Sequence, residues 1–235
     1  MWMLERGRLL ALDSLVGVNN CGWQGRTGKS VQQADGVAGE NLAVANEREP
    51  FQTDWGLDQL VIENHYTILD VGCGGRRTVS KLAAIATQGK VYGIDFSEES
   101  VAATKRTNAQ WIDLGRAEVR HGSVSQLPFA DGMFDLVTAV ETHFWWADLP
   151  GDMREVLRVL KPGGTFIVIA EIYKGMTTGA GKFAEKYASQ AGMTLLSVAE
   201  HRELFSASGY WDVQVVEKRE KGWICGFGRK PVANS

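Results

Sequence analysis

Ile68-Leu69-Asp70-Val71-Gly72-Cys73-Gly74-Gly75, answered downstream by Val91-Tyr92-Gly93-Ile94-Asp95, decides the reading of this chain. A short apolar strand runs into an acid and a glycine turn, and a helix-period segment follows. A second apolar strand then ends in another carboxylate. An acid about 20 residues beyond a glycine turn is the spacing at which a βαβ unit meets a nucleoside ribose. Glycine admits a ligand where a Cβ would stand in the way. A carboxylate accepts both hydrogen bonds that a ribose diol offers. The pattern predicts a seat for an adenosine-containing molecule.

A nicotinamide or flavin dinucleotide asks for Gly-x-Gly-x-x-Gly, whose third glycine lets the helix pack close behind the pyrophosphate. That position is Arg77 here, which disfavours an NAD(P)-dependent oxidoreductase. Asp70, two residues ahead of the first glycine, makes Asp-x-Gly-x-Gly instead. This resembles motif I of the class I S-adenosylmethionine-dependent methyltransferases. The resemblance continues in order through Gly122-Ser123-Val124-Ser125-Gln126-Leu127-Pro128-Phe129 and Asp131-Gly132-Met133-Phe134-Asp135-Leu136-Val137. It ends with Leu157-Arg158-Val159-Leu160-Lys161-Pro162-Gly163-Gly164-Thr165-Phe166, and covers about Thr53 to Lys230.

The resemblance implies a Rossmann-like doubly wound α/β sheet of seven strands, mostly parallel with an antiparallel last strand. It implies S-adenosyl-L-methionine as cofactor and methyl transfer to a small-molecule acceptor. By the same resemblance Asp70, Gly72 and Gly74 line the methionine half of the cofactor and Asp95 takes the ribose hydroxyls. A bare helix N-terminal acid is the alternative for Asp95. Ser123 stands where the family places an adenine-binding acid, so the backbone N–H of Val124 is left to reach the ring. Leu127 and Phe129 either flank the ring or pack in the core. Val140, at the end of the fourth strand, completes the cofactor set. Arg76 replaces a usual glycine, and its guanidinium suits a carboxylate. Cys73 reads as a small loop residue.

Composition is ordinary for a soluble globular protein: 235 residues, 44% hydrophobic, 23% charged, net charge −3. With no basic block, a nucleic-acid partner is not expected. Cys21, Cys73 and Cys225 are widely spaced, which excludes a disulfide framework and a cysteine zinc site. No metal is expected. No apolar run reaches membrane-span length, and Asp13 and Glu5 break the apolar stretch Leu9–Val18 as a signal peptide. The expected location is the cytoplasm.

Residues 1–48 read as an extension, largely flexible, with a short amphipathic helix over Met1–Val16. Cys21 to Ser30 imitates a phosphate loop, but Trp23 occupies its first glycine position. From residue 49 to 235 strands alternate with helices, as in one methyltransferase domain. Strands are expected at Thr67–Val71, Lys90–Ile94, Ala117–Arg120, Phe134–Val140 and Thr165–Ala170. Trp211–Glu217 and Gly222–Gly228 then form an antiparallel pair at the sheet edge. Helices are expected over Thr78–Ala86, after Ser97 as N-cap, and over Asp148–Leu160 and Ala199–Ser206.

Glu141-Thr142-His143-Phe144-Trp145-Trp146 follows the fourth strand. Ligands of open α/β sheets sit at such carboxyl ends, so this loop faces the transferable methyl. Phe144, Trp145 and Trp146 suit a wall for an apolar or aromatic acceptor or for a methylated cation, or else Phe144 and one tryptophan pack in the core. His143 suits a general base by its pKa, or a structural place. His65, His121 and His201 read as structural. Asp54 and Trp55 suggest a lid, and Glu171, Tyr173 and the stretch Gly175–Gly181 suggest the far side of a substrate pocket. A cofactor-binding protein without turnover is the alternative from another class.

Overall fold

Three segments of the computed structural model are described here, residues 50–75, 77–177 and 181–232. The amphipathic helix, the flexible run and the phosphate-loop imitation expected before residue 49, together with Arg76, lie outside them.

Runs of branched and aromatic residues become strands: β1 (Thr67–Val71), β2 (Lys90–Asp95), β3 (Ala117–His121), β4 (Phe134–Val140), β5 (Leu160–Ala170), β6 (Trp211–Lys218) and β7 (Trp223–Arg229). They form one sheet in the order β3-β2-β1-β4-β5-β7-β6. β7 alone runs against its neighbours, pairing antiparallel with both β5 and β6. The last strand in sequence is therefore the antiparallel one, and it lies inside β6, which holds the edge.

Helices cover both faces. α1 (Pro50–Leu57), α2 (Thr78–Ile85), α3 (Glu98–Thr107) and α4 (Ala109–Asp113) come before β3; α5 (Leu149–Val159), α6 (Gly181–Ala191) and α7 (Val198–Ala207) come after β4. Leu57, Val79, Leu82 and Val101 pack on one face with Ile167 and Ile169 of β5. Met153, Val156 and Phe205 pack on the other with Phe166 and Val168 of the same strand. The alternation along β5 is what a strand buried on both faces requires.

Capping follows the sequence. The Ser97 hydroxyl accepts from the Ser100 N–H, with Glu98 and Glu99 in the first turn of α3. Asp148 lies outside α5 as its N-cap rather than inside it. Ser197 and Glu200 form a capping box that fixes the start of α7.

One junction differs from expectation. The helix expected to run to Leu160 stops at Val159, and the strand expected from Thr165 starts at Leu160, which already pairs with Phe134 of β4; Pro162-Gly163-Gly164 therefore fall inside the strand. The three residues bulge within β5, with Gly163 at φ 80° and the Gly164 carbonyl accepting from the Lys230 N–H at 2.8 Å. A bulge tolerates proline, which has no N–H for a ladder. α1, α4 and α6 were not expected as helices.

Candidate active site

The strand order reverses between β1 and β4, which opens a crevice at their carboxyl ends. Asp70, near the end of β1, is buried, and its Oδ1 accepts from the Thr138 hydroxyl of β4 at 2.6 Å. The following turn folds over β2: the N–H groups of Gly72 and Cys73 both donate to the Ile94 carbonyl, at 2.8 and 3.1 Å. Gly72, Gly74 and Gly75 have φ of 70°, 53° and 75°. A Cβ on Gly72 would stand 2.2 Å from the Thr142 hydroxyl, so the β4 loop abuts this turn.

Asp95 ends β2 and is also buried. Its Oδ2 accepts from the Gly74 N–H at 2.9 Å and its Oδ1 from the Ser97 N–H at 3.0 Å. It is thus both the strand-end acid and a local cap. Thr104, whose hydroxyl accepts from the Gly75 N–H at 2.8 Å, fixes the next residue of the turn. Burial pushes the Cys73 thiol up, and Asp70 adds to this, so Cys73 is a packed thiol rather than a nucleophile.

On the far side of β2, Ser123 is exposed and its hydroxyl accepts from the Ser125 N–H at 3.2 Å. Val124 is half-buried and opens a single 3₁₀ turn. Leu127 and Phe129 are core residues. Phe96, the residue after Asp95, is 55% exposed, and its carbonyl accepts from His121 Nε2 at 2.7 Å. A bare aromatic beside the strand-end acid went unread in the sequence, though its position directly after Asp95 was the available signal.

Past β4, Val140 is buried and Glu141 takes φ 55°, a left-handed conformation that a glutamate adopts only where its surroundings demand it. Glu141 Oε1 accepts from Gln52 Nε2 at 2.6 Å and from the Glu171 N–H, joining α1 and the end of β5 to this loop. Trp55 of α1 is half-buried against Trp223 at 5.9 Å, and Asp54 pairs with Lys81 of α2.

The aromatic run divides. Trp146 is 8% exposed and lies parallel to Phe166, centroids 6.1 Å apart, in the core beneath the loop. Phe144 is fully enclosed, and its carbonyl accepts from the Thr194 N–H at 2.8 Å. Both are interior residues: Phe144 sits within the 3₁₀ turn His143–Trp145, ringed by His143 and Trp145, and Trp146 caps that turn. Trp145 stays half-buried, edge-on to Phe144. Tyr173 is buried, which raises its phenol.

His143 is buried, and His201 of α7 is buried beside it with Nε2 to Nε2 at 3.1 Å. Burial lowers the pKa of both, which keeps the imidazoles neutral near pH 7. His143 Nδ1 has no hydrogen-bond partner among the described residues. A separate cavity of about 510 Å³, touched by Glu63, Asp135, Lys161 and Arg229, lies at the amino-terminal ends of β4 and β5, away from this crevice.

Two buried carboxylates and a left-handed glycine turn at a switch point fit a cofactor that carries an amine, a sulfonium and a ribose diol. Residues 69–168 match the family described as a methyltransferase domain. The chain is 32% identical over 209 residues to a demethylmenaquinone methyltransferase of Shouchella clausii, covering 75% of this chain and 83% of that one. The chain belongs to the class I S-adenosylmethionine-dependent methyltransferases. A Bacillus mycoides demethylmenaquinone methyltransferase is 38% identical over 105 residues, a match spanning 43% of each chain. In fold, a methyltransferase of Haloferax volcanii solved with a methyltransferase activator superposes with TM-score 0.72 at 22% identity, over 86% of this chain and 100% of that one. An S-adenosylmethionine-dependent methyltransferase of Aquifex aeolicus gives 0.66 at 19%, over 81% and 97%.

This methyltransferase uses S-adenosylmethionine and methylates a small-molecule acceptor. The oxidoreductase reading and the non-catalytic reading are set aside. No described helix is long and apolar enough to cross a membrane.

Proposed function

We propose that the methyltransferase acts on a small ring-bearing acceptor with an ionisable O–H, a reduced naphthoquinone being the first to try. Two things support this: the demethylmenaquinone methyltransferase activity of the Shouchella relative, and an aromatic loop with a neutral histidine at the switch point. The observation that carries the reading is the contact of Thr142 with Gly72, which sets His143 one residue from the cofactor turn.

In this reading Asp70, Gly72 and Gly74 hold the methionine half, Asp95 grips the ribose, and Val124 with Phe96 takes the adenine. Ser123 and Val140 border the same seat. When bound, S-adenosylmethionine supplies an electrophilic methyl and leaves as S-adenosylhomocysteine. His143 takes the acceptor's hydroxyl proton as the acceptor's nucleophilic atom takes the methyl. Trp145 and Trp55 border the acceptor, and the helix carrying Trp55 shields it from water. Alignment of the two reactants supplies much of the acceleration. The domain is assigned to residues 49–235, with 1–48 as an extension. A cytoplasmic location is supported by two buried free thiols, Cys73 and Cys225.

The test follows labelled methyl from S-adenosylmethionine into a reduced prenylated naphthoquinone. The expected result is a methylated product, with His143→Gln slower by roughly 10²–10⁴ and cofactor affinity retained. Turnover by His143→Gln at the wild-type rate would remove the base from the account.

A further inference from the structure

His201 looks in the sequence like an ordinary helix residue, and the structure gives it a directional task. Its Nδ1 lies 2.9 Å from the Ser197 carbonyl, one helical turn back. A carbonyl can only accept, so Nδ1 carries the proton and, in the neutral ring, Nε2 is bare. The bare nitrogen faces His143 Nε2 at 3.1 Å. Two bare nitrogens would repel, so His143 Nε2 holds the proton and donates. That leaves His143 Nδ1 as a lone pair, buried and without a partner among the described residues. A buried acceptor left without a donor is destabilising, so its persistence asks for an explanation.

We propose that His201 is a positioning residue: anchored on the Ser197 carbonyl, it fixes the tautomer of His143 so that Nδ1 faces the acceptor molecule as a hydrogen-bond acceptor. The inference rests on the reading of His143 as base and deepens it. The missing donor is the acceptor molecule's own O–H or N–H. An acceptor with no such hydrogen, a thioether for example, leaves Nδ1 unsatisfied and is disfavoured.

The geometry has a firm frame. Ser197 is locked as N-cap of α7 by the capping box with Glu200, and Glu200 also pairs with Lys174 at 2.7 Å. His143 is carried by the 3₁₀ turn that directly follows β4, and the Thr194 N–H holds the neighbouring Phe144 carbonyl. The chain from Ser197 O through His201 to His143 thus ties the β5–β6 connection to the switch point. It resembles the way a third group sets the tautomer of a catalytic base, with an imidazole where a carboxylate is commoner. Because neither partner is charged, the dyad leaves His143 neutral, with Nδ1 unprotonated.

The test is long-range ¹H–¹⁵N correlation spectroscopy on the full-length ¹⁵N-labelled protein above the imidazole titration range. His201→Phe and His201→Gln accompany the wild type. The proposal expects His143 protonated on Nε2 and His201 on Nδ1. In His201→Phe, which removes the acceptor and keeps the volume filled, the His143 proton is expected to redistribute to Nδ1. In His201→Gln, whose side-chain oxygen can accept, it is expected to return to Nε2. His143 protonated on Nδ1 in the wild type would overturn the proposal, and so would a His143 spectrum unchanged in His201→Phe. If His201→Phe fails to fold, the wild-type tautomers alone decide. With the reduced naphthoquinone as probe, kcat is expected to drop at least tenfold in His201→Phe and to recover in His201→Gln, S-adenosylhomocysteine affinity staying constant; equal kcat in all three would also overturn it. A wild type that leaves the probe unmethylated while showing the expected tautomers counts against the functional reading and in favour of the dyad.

Discussion

Gly74 donates its backbone N–H to Asp95 Oδ2 across 2.9 Å, and this one bond joins the glycine turn after β1 to the acid that ends β2. The carboxylate is thereby aimed before any ligand arrives, which lowers the ordering cost of binding. Asp95→Asn turns one accepting oxygen into a donating amide that must face either the Gly74 or the Ser97 N–H. The expected cost is about 1–3 kcal/mol of stability without ligand, read as a lower urea midpoint. An unchanged midpoint would mean that the turn orders itself without the acid.

Gly72 combines a left-handed φ of 70° with a Thr142 hydroxyl where its Cβ would go. Gly72→Ala is expected to weaken S-adenosylhomocysteine binding by at least tenfold. Adding Thr142→Gly removes the clash and leaves the backbone strain, about 1–2 kcal/mol. Partial recovery in the double variant, measured by calorimetry, is the expected result; none at all would show that the loop contact is incidental.

Trp145 and Trp146 are neighbours with different fates. Trp146→Ala empties a core site against Phe166 and is expected to cost about 3–5 kcal/mol. At roughly 2–4 °C per kcal/mol for a domain of this size, the melting temperature drops by about 6–20 °C. Trp145→Ala is expected to cost far less stability and to raise KM for the acceptor. Equal melting temperatures for the two variants would contradict the division.

Burial lowers the pKa of His143, with the His201 ring adding to it, and burial also lowers His201. Between those lowered values and the unfolded value near 6.5, the unfolded chain binds more protons than the folded one. Stability is therefore present above about pH 6.5 and lost as pH falls below it. Asp152, whose carboxyl burial raises, acts in the opposite sense in the carboxylate range. Urea midpoints measured through the imidazole range should fall with pH in the wild type and less in His143→Phe. Parallel slopes in the two proteins would contradict the burial of a neutral pair.

The βαβ unit around Asp70 and Asp95 was legible because its signals are local: apolar runs, a glycine turn, an acid at a fixed spacing. β1 and β4 fall at the expected residues for the same reason. The start of β5 was misread because Leu160 answers to Phe134 and Lys230 to Gly164, pairings that no local window contains. α6 hid because small residues carry its buried face, Ala184 and Ala188 among them. α1 is anchored through Gln52 to Glu141, 89 residues away. His143 and His201 are 58 residues apart, and neither predicts the other. Separating Phe144 and Trp146 from Trp145 needed their burial in three dimensions, since the three are consecutive in the chain.

Equilibrium binding of S-adenosylhomocysteine and of NAD to the wild type and to Asp95→Asn tests the central claim most directly. The account predicts saturable S-adenosylhomocysteine binding at one site and none of NAD. It also predicts a roughly ten- to hundredfold loss in Asp95→Asn, as expected for hydrogen bonds to a charged acceptor of about 1.5–3 kcal/mol. NAD binding in place of S-adenosylhomocysteine, or equal S-adenosylhomocysteine affinity in the two proteins, would contradict it.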